Sequence, residues 1–330
     1  MNLLIPTRPF TLAATAAAAL LAACGGGGYD ADTGLSTEVA QGYAADAASM
    51  PVQAATGVDA SVVALEAALA ASGTSASREQ PQVSALLETT LPGGTVACAN
   101  GGTLTWGVSG GTSQTQLNGQ LDAGESYVVT YAACGTGSGV VLDGAVTLAV
   151  TARSSSASDL TLTATALQQT TAMGQFVLDG SQRWQRSVVA TSGGGTQVTG
   201  QLSSSGSITL ASTISARRAS YTLNSLDWTV VKTFDANGAL VSRTHQGNLS
   251  LAASTPRRPN ATLQISTQGA LTLASDGLAA QGGFVVVTRY DKITGNYGSG
   301  TVTLMLDIGN DGSIDRTWTL TRPTFNGEAG

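Results

Sequence analysis

Tyr221-Thr-Leu-Asn-Ser-Leu-Asp-Trp-Thr-Val-Val-Lys-Thr-Phe234 is the stretch of sequence that decides the fold. Branched and aromatic residues recur at alternate positions along it, which is typical of a half-buried β-strand. The turn signal Asp235-Ala-Asn-Gly238 follows, and after it comes a second alternating run, Leu240–Leu251. Two strands joined by a short turn form a β-hairpin. This stretch therefore predicts antiparallel β structure.

The same pattern recurs on both sides of this hairpin, from Val96 almost to the end of the chain. Gly, Asn-Gly or Asp-Gly separates short alternating runs, which together predict about a dozen strands in one antiparallel β domain over residues 93–323. A tail, residues 324–330, is predicted after it. The further runs are Tyr127–Tyr131, Ala145–Ala152, Leu160–Ala166, Gln182–Ala190, Ser207–Ser215, Ala261–Ser266, Gly283–Tyr290, Gly300–Ile308 and Arg316–Thr321.

The fold class predicted from this pattern is mainly β. So many strands must bury one face and protect their edges, which a large antiparallel curved sheet, a barrel-like sheet or a two-sheet sandwich can do. Short linkers favour the curved sheet or the barrel. A loose recurrence of Leu-Asp followed by Gly has no fixed period, and we interpret it as a set of hairpin turns. It occurs at Leu121-Asp-Ala-Gly124, Leu142-Asp-Gly144 and Leu178-Asp-Gly180.

Upstream of the β domain, the pattern changes to helical spacing. Val62, Leu65 and Leu69 recur at this spacing after a candidate N-cap, Asp59 or Ser61, and Val83–Leu87 is a candidate for a second helix. Residues 58–92 are therefore predicted to be a segment of short N-terminal helices. Residues 24–57 lack clear periodicity and are predicted to be a flexible tether.

The first residues have the layout of a secretory signal peptide. A single cation, Arg8, precedes an apolar segment that is too short to span a bilayer and that ends in Leu20-Leu-Ala-Ala-Cys24. At this motif the chain resembles bacterial lipoproteins. The resemblance implies that residues 1–23 are removed and that Cys24 carries the lipid, with Gly25 in place of a retaining aspartate favouring the outer membrane. The alternative is an ordinary signal peptide that releases a soluble protein.

Composition limits the partners of the protein. Only 11% of the residues are charged, the net charge is −6, and the largest basic clusters are the pairs Arg217-Arg218 and Arg257-Arg258. Nucleic-acid binding requires cations that neutralise phosphates, so this class is not supported. The predicted partner is the membrane, through the N-terminal lipid, while a protein or glycan partner stays open.

Two further cysteines, Cys98 and Cys134, stand inside the β domain. In an exported protein such a pair is expected to form a disulfide, the alternative being two free buried thiols. The segment from Cys98-Ala-Asn-Gly-Gly-Thr103 through Asp122-Ala-Gly-Glu-Ser126 to Cys134 resembles a stretch of β-rich proteobacterial lipoproteins that have no assigned activity. This resemblance supports the fold and implies no function.

Asp307, Asp311 and Asp315 form the one candidate metal site. Carboxylates at positions 1, 5 and 9 around a glycine turn can gather oxygens for Ca²⁺. Gly309 and Trp318, however, stand where an EF-hand loop places ligands. A hairpin alone explains the segment better, so Ca²⁺ is a weak candidate and no other cofactor is predicted.

The sequence offers no convincing catalytic group. Ser109 lies in Gly107-Val-Ser-Gly-Gly111, which matches a nucleophile elbow but is not followed by a helical pattern. His245, the only histidine, lies among polar positions and is predicted to face solvent. We therefore expect a non-enzymatic outer-membrane lipoprotein with a binding or structural role in the cell envelope.

Two alternatives to a purely structural role stay open. The first is a carrier of an apolar ligand, with a cavity lined by one face of Tyr221–Phe234 and of Gly283–Tyr290. The second is a carbohydrate-binding or adhesive surface, which would present tryptophans to solvent. We expect the tryptophans to be in the core instead. They are Trp106, Trp184, Trp228 and Trp318.

Overall fold

The computed structural model describes residues 35–76, 93–116, 118–136, 139–171, 174–212, 218–255, 258–275 and 277–326. These residues form a long helix, fifteen strands and a short C-terminal helix. The helices are α1 (Thr37–Ala76) and α2 (Arg322–Asn326). The strands are β1 (Gly93–Ala97), β2 (Thr103–Gly110), β3 (Glu125–Gly135), β4 (Val141–Arg153), β5 (Ala157–Thr171), β6 (Gly174–Ala190), β7 (Thr196–Ser212), β8 (Arg218–Phe234), β9 (Leu240–Thr255), β10 (Arg258–Thr267), β11 (Leu271–Leu273), β12 (Ala279–Val287), β13 (Lys292–Tyr297), β14 (Thr301–Asp307) and β15 (Arg316–Thr321).

All fifteen strands belong to one antiparallel sheet. Each strand from β1 to β9 pairs with the next, β10 pairs with β12, and the order then continues to β15, while the short β11 pairs with β9 and β12. The prediction of a mainly β, antiparallel curved sheet is confirmed. The sandwich alternative is wrong, because short connections between neighbouring strands keep them in a single sheet.

The sheet wraps around α1, which contacts strands from both ends and from the middle of the strand order: β1 and β2, β6 to β8, and β12 to β14. The inward positions of the strands and most of the helix form one hydrophobic core. Among the described residues, α1 is the one helix whose length and hydropathy would allow it to cross a membrane, but 61% of that apolar window is buried inside the protein.

Aligned β-bulges give the sheet part of its curvature. Ala133 and Ala166 have left-handed backbones (φ 47° and 52°) where β3 and β5 each carry an extra residue. In each case an aspartate of the next strand accepts the hydrogen bond of the alanine N–H: Asp143 Oδ2 from Ala133 at 3.0 Å, and Asp179 Oδ1 from Ala166 at 2.5 Å. Bulges bend and twist a strand. The interpretation of Leu142-Asp-Gly144 and Leu178-Asp-Gly180 as hairpin turns is therefore wrong, since both lie inside long strands.

The prediction of a flexible tether over residues 24–57 is wrong for the part that lies in α1. The helix begins at Thr37, so residues 37–57 of the segment 24–57 are helical, and it continues to Ala76 as one helix of 40 residues rather than several short ones. The physical reason is that the sheet encloses it: Ala40, Ala44 and Ala48 are buried, and so are residues on its other sides. A helix buried on most sides shows no amphipathic period. The second predicted helix, Val83–Leu87, lies outside the described residues.

The C-terminal segment also differs from the predicted tail. Residues 322–326 form α2, and the Phe325 side chain is buried. Its ring lies 6.2 Å from that of Phe284 on β12 and 6.0 Å, edge-on, from that of Tyr297 on β13. Aromatic contacts of this geometry are favourable. The chain therefore adds to the core beyond residue 323.

Candidate ligand-binding cavity

A cavity of about 690 Å³ lies between the C-terminal half of α1 and the sheet. Its walls come from α1, from β1 and β2, from the β3 disulfide region, and from the ends of β6, β7, β8 and β9. Val63 of α1 lines it and is 46% exposed, so the cavity opens to solvent on that side. Volumes of about 300–1,000 Å³ are usual for sites that bind small molecules.

The helical wall of the cavity is a stripe of alanines. Ala60, Ala64, Ala67 and Ala71 follow one another at spacings of three and four residues, so they share one helix face. Larger side chains at these positions would fill the space between helix and sheet. The small side chains are the reason that the cavity exists at this end of α1.

Hydrogen bonds hold α1 at a fixed orientation over the sheet. Tyr221 on β8 donates to the buried carboxylate of Asp46, and the Tyr131 hydroxyl donates to the Ser61 carbonyl oxygen at 2.9 Å. Burial raises the pKa of Tyr131 far above its ordinary value, so this phenol stays a donor. These contacts keep the helix from moving into the cavity.

The disulfide forms part of the opposite wall. Cys98 follows β1 and Cys134 lies near the end of β3, with their Cα atoms 5.3 Å apart, and both line the cavity. The predicted disulfide is confirmed. It ties the edge of the sheet at β1 to β3 and so fixes the width of the cavity at this edge.

One end of the cavity is polar and positively charged. In the β8–β9 hairpin, Lys232 lies directly opposite Arg243, and Val230 lies opposite His245. All four side chains line the cavity, as does Arg186 from β6. Like charges directly opposite each other in a sheet are unfavourable. The site therefore concentrates positive charge that the fold alone does not require.

The carboxylates near the cavity balance only part of this charge. Asp59 of α1 forms an ion pair with Lys232. Glu66 is shared by Arg153, at 3.1 Å, and Arg186, at 3.3 Å. Within the described ranges, Arg243 has no carboxylate partner, and its buried Nε has no hydrogen-bond acceptor.

His245 is buried at this polar end, with 1% of its surface exposed. Its Nδ1 accepts a hydrogen bond from Trp228 Nε1 at 3.2 Å, so in the neutral ring the proton is on Nε2. That Nε2 is buried without a partner among the described residues. Burial, and after it the positive charges of Arg243 and Lys232, lower the pKa of His245 to about 3. The prediction that His245 faces solvent is wrong, because its position on β9 alternates with outward residues and points inward.

Other predicted site residues do not assemble a site. Ser109 is on β2 and His245 on β9, with six strands between them in the sheet order. The tryptophan prediction is confirmed for Trp106, Trp184 and Trp228, whose exposure is 4% or less, so these rings do not form an exposed row. Cys24 and the rest of residues 1–34 lie outside the described residues.

The candidate calcium residues hold a turn together. Asp307 accepts hydrogen bonds from the backbone N–H groups of Asp311 and Gly312, each at 3.0 Å, and Asp315 accepts one from Ile308 at 2.7 Å. In the part of the chain that the structure describes, no three His, Cys, Asp or Glu side chains are arranged to hold a metal ion. The hairpin interpretation of this segment agrees with the geometry, with β14 and β15 paired on either side.

Comparison of the chain with protein-family models, with curated proteins and with solved structures finds no match. The function must therefore be argued from the cavity itself. Sequence reasoning missed Lys232 and Arg243, although the predicted hairpin would have placed these two cations near each other across the turn.

Proposed function

We propose that the protein is a non-enzymatic binding protein of the cell envelope that carries a single elongated, apolar molecule in the cavity beside α1. The observation that carries this proposal is the cavity of about 690 Å³ with its alanine-lined helical wall. This volume suits one drug-sized molecule and is small for a lipid with two acyl chains. A structural protein would gain stability from larger side chains in this space, because unfilled volume costs packing energy.

Membrane attachment is the second part of the proposal. The Leu20-Leu-Ala-Ala-Cys24 motif supports lipidation of Cys24, and Gly25 supports the outer membrane. Eleven residues lie between Cys24 and Ser36, the residue before α1, and at about 3.5 Å per residue this stretch reaches at most about 40 Å. A tether of this length would keep the cavity close to a source of apolar molecules.

The carrier proposal can be tested by photolabelling the full chain in envelope membranes. The probe is a long-chain primary alcohol with a mid-chain diazirine and a terminal alkyne. We expect labelled peptides to map to α1 residues 55–71 and to the facing ends of β8 and β9. An excess of the unlabelled alcohol should compete.

A pair of matched variants makes this test specific. Ala64→Leu places a larger side chain in the cavity and should strongly reduce labelling. Ala70→Leu makes the same change at an exposed position of the same helix that does not line the cavity, and should leave labelling unchanged. Labelling that is scattered over the outer face of the sheet, or that is insensitive to Ala64→Leu, would refute the carrier function.

A further inference from the structure

We propose that the ligand is a long-chain carboxylate whose head group is bound by Arg243 and by the Nε2–H of His245, while its chain lies along the alanine stripe of α1. This inference rests on the proposed function and adds the chemical class of the ligand. It is carried by Arg243, which lines the cavity and has no carboxylate partner among the described residues, and by His245 beside it, whose buried Nε2 has no acceptor there.

The two donors are placed to act on one group. Arg243 and His245 are two residues apart on β9, so their side chains are on the same face of the sheet, and both line the cavity. A guanidinium offers N–H groups that match the two oxygens of a carboxylate. A neutral imidazole adds one more donor through Nε2.

The charges around the two donors favour an anion. Three cations line the cavity, Arg186, Lys232 and Arg243, against one lining carboxylate, Asp59. Asp59 is already paired with Lys232, and Glu66 is shared by Arg186 and a second arginine outside the cavity. The pKa of His245 is low mainly because the ring is buried, and second because Arg243 and Lys232 place positive charge near it. A bound anion would relieve the repulsion between Lys232 and Arg243.

The other end of the cavity suits a hydrocarbon chain. The stripe on α1 is composed of alanines, and Val96 on β1 and Leu104 on β2 line the cavity from strands other than those that carry Lys232 and Arg243. A molecule with one charged end and one apolar chain would therefore bury both ends against matching groups.

The test compares three photoprobes with the same chain on the full protein in envelope membranes: the carboxylate, the primary alcohol and the alkyl phosphate. We expect the carboxylate to label the cavity at roughly tenfold lower concentration than the alcohol, since charge-assisted hydrogen bonds distinguish them. Arg243→Gln should remove this preference by weakening labelling with the carboxylate. His245→Asn, which keeps an acceptor near Trp228, should reduce the preference in part.

Arg183→Gln is the matched control. Arg183 is on β6 with 54% of its side chain exposed and is paired with Asp159 on the outside of the sheet, so its loss should not alter labelling. Equal labelling by carboxylate and alcohol, unaffected by Arg243→Gln but abolished by Ala64→Leu, would overturn the head-group assignment and leave the carrier function intact. A phosphate that labels better than the carboxylate would also overturn it. No labelling of the cavity by any of the probes would refute the carrier function itself.

Discussion

The buried histidine makes the stability of the protein depend on pH in a defined way. His245 has a pKa of about 3 in the folded protein, whereas an unfolded histidine titrates near 6.5. Between these two values the unfolded chain binds a proton that the folded chain does not. The free energy of unfolding therefore falls as the pH falls through this window.

The size of the effect follows from the two pKa values. Relative to pH 8, the contribution of His245 lowers the free energy of unfolding by about 2 kcal/mol at pH 5 and by about 3 kcal/mol at pH 4. The chain has only one histidine, so no other imidazole titrates in this range. Carboxylates also begin to titrate near pH 4, and a variant that lacks only His245 corrects for them.

Urea unfolding of the wild type and of His245→Asn, measured at intervals between pH 8 and pH 4, tests the prediction. The variant will be less stable at pH 8, because a smaller side chain replaces the buried imidazole that accepts a hydrogen bond from Trp228. The difference between the two proteins should then shrink by about 2 kcal/mol on going to pH 5. Two stability curves that stay parallel over this range would refute the argument that His245 is held neutral by burial and by its cationic neighbours.

Three further predictions concern stability. Gly200→Ala should destabilise the fold by about 1–3 kcal/mol in urea unfolding, because the added Cβ would lie 2.1 Å from the buried ring of Trp184. Gly193→Ala, with open space around the added Cβ, should be nearly neutral. Reduction of the Cys98–Cys134 disulfide, which closes a loop of 36 residues, should cost roughly 3–4 kcal/mol, measured with and without reductant. Asp307→Asn should cost about 1–3 kcal/mol through lost turn hydrogen bonds, while millimolar Ca²⁺ leaves the melting temperature of the wild type unchanged.

The strands could be predicted from the sequence because each carries its own periodic signal. The run Arg316–Thr321 coincides with β15, and Tyr221–Phe234 falls within β8. Long strands such as β6 were only half predicted, since Gly180 interrupts the alternation at the point opposite the β5 bulge. Bulges look like turns in a sequence, because both use Asp and Gly, and only the partner strand distinguishes them.

The first half of α1 could not be predicted for a different reason. Hydrophobic periodicity reveals a helix that has one buried and one exposed face, as it does near Leu65 and Leu69. Residues 37–57 have no such faces, because the sheet surrounds them, and their alanines and glycines resemble a linker in composition. The cavity was half predicted: β8 lines it as expected, but Gly283–Tyr290 does not, since Phe284 and Val286 are packed in the core.

The register of Lys232 opposite Arg243 distinguishes the cavity from the rest of the sheet. Several other charged positions in the sheet agree with the fold: Asp159 pairs with Arg183 across β5 and β6, and Asp143 and Asp179 accept hydrogen bonds at the bulges. At the cavity, two cations face each other in register beside a buried imidazole. A natural sequence is expected to break such local rules mainly where function requires it. An anion bound at this point would be attracted by both cations and would offset their mutual repulsion. The like-charge pair is therefore itself an argument for a negatively charged ligand.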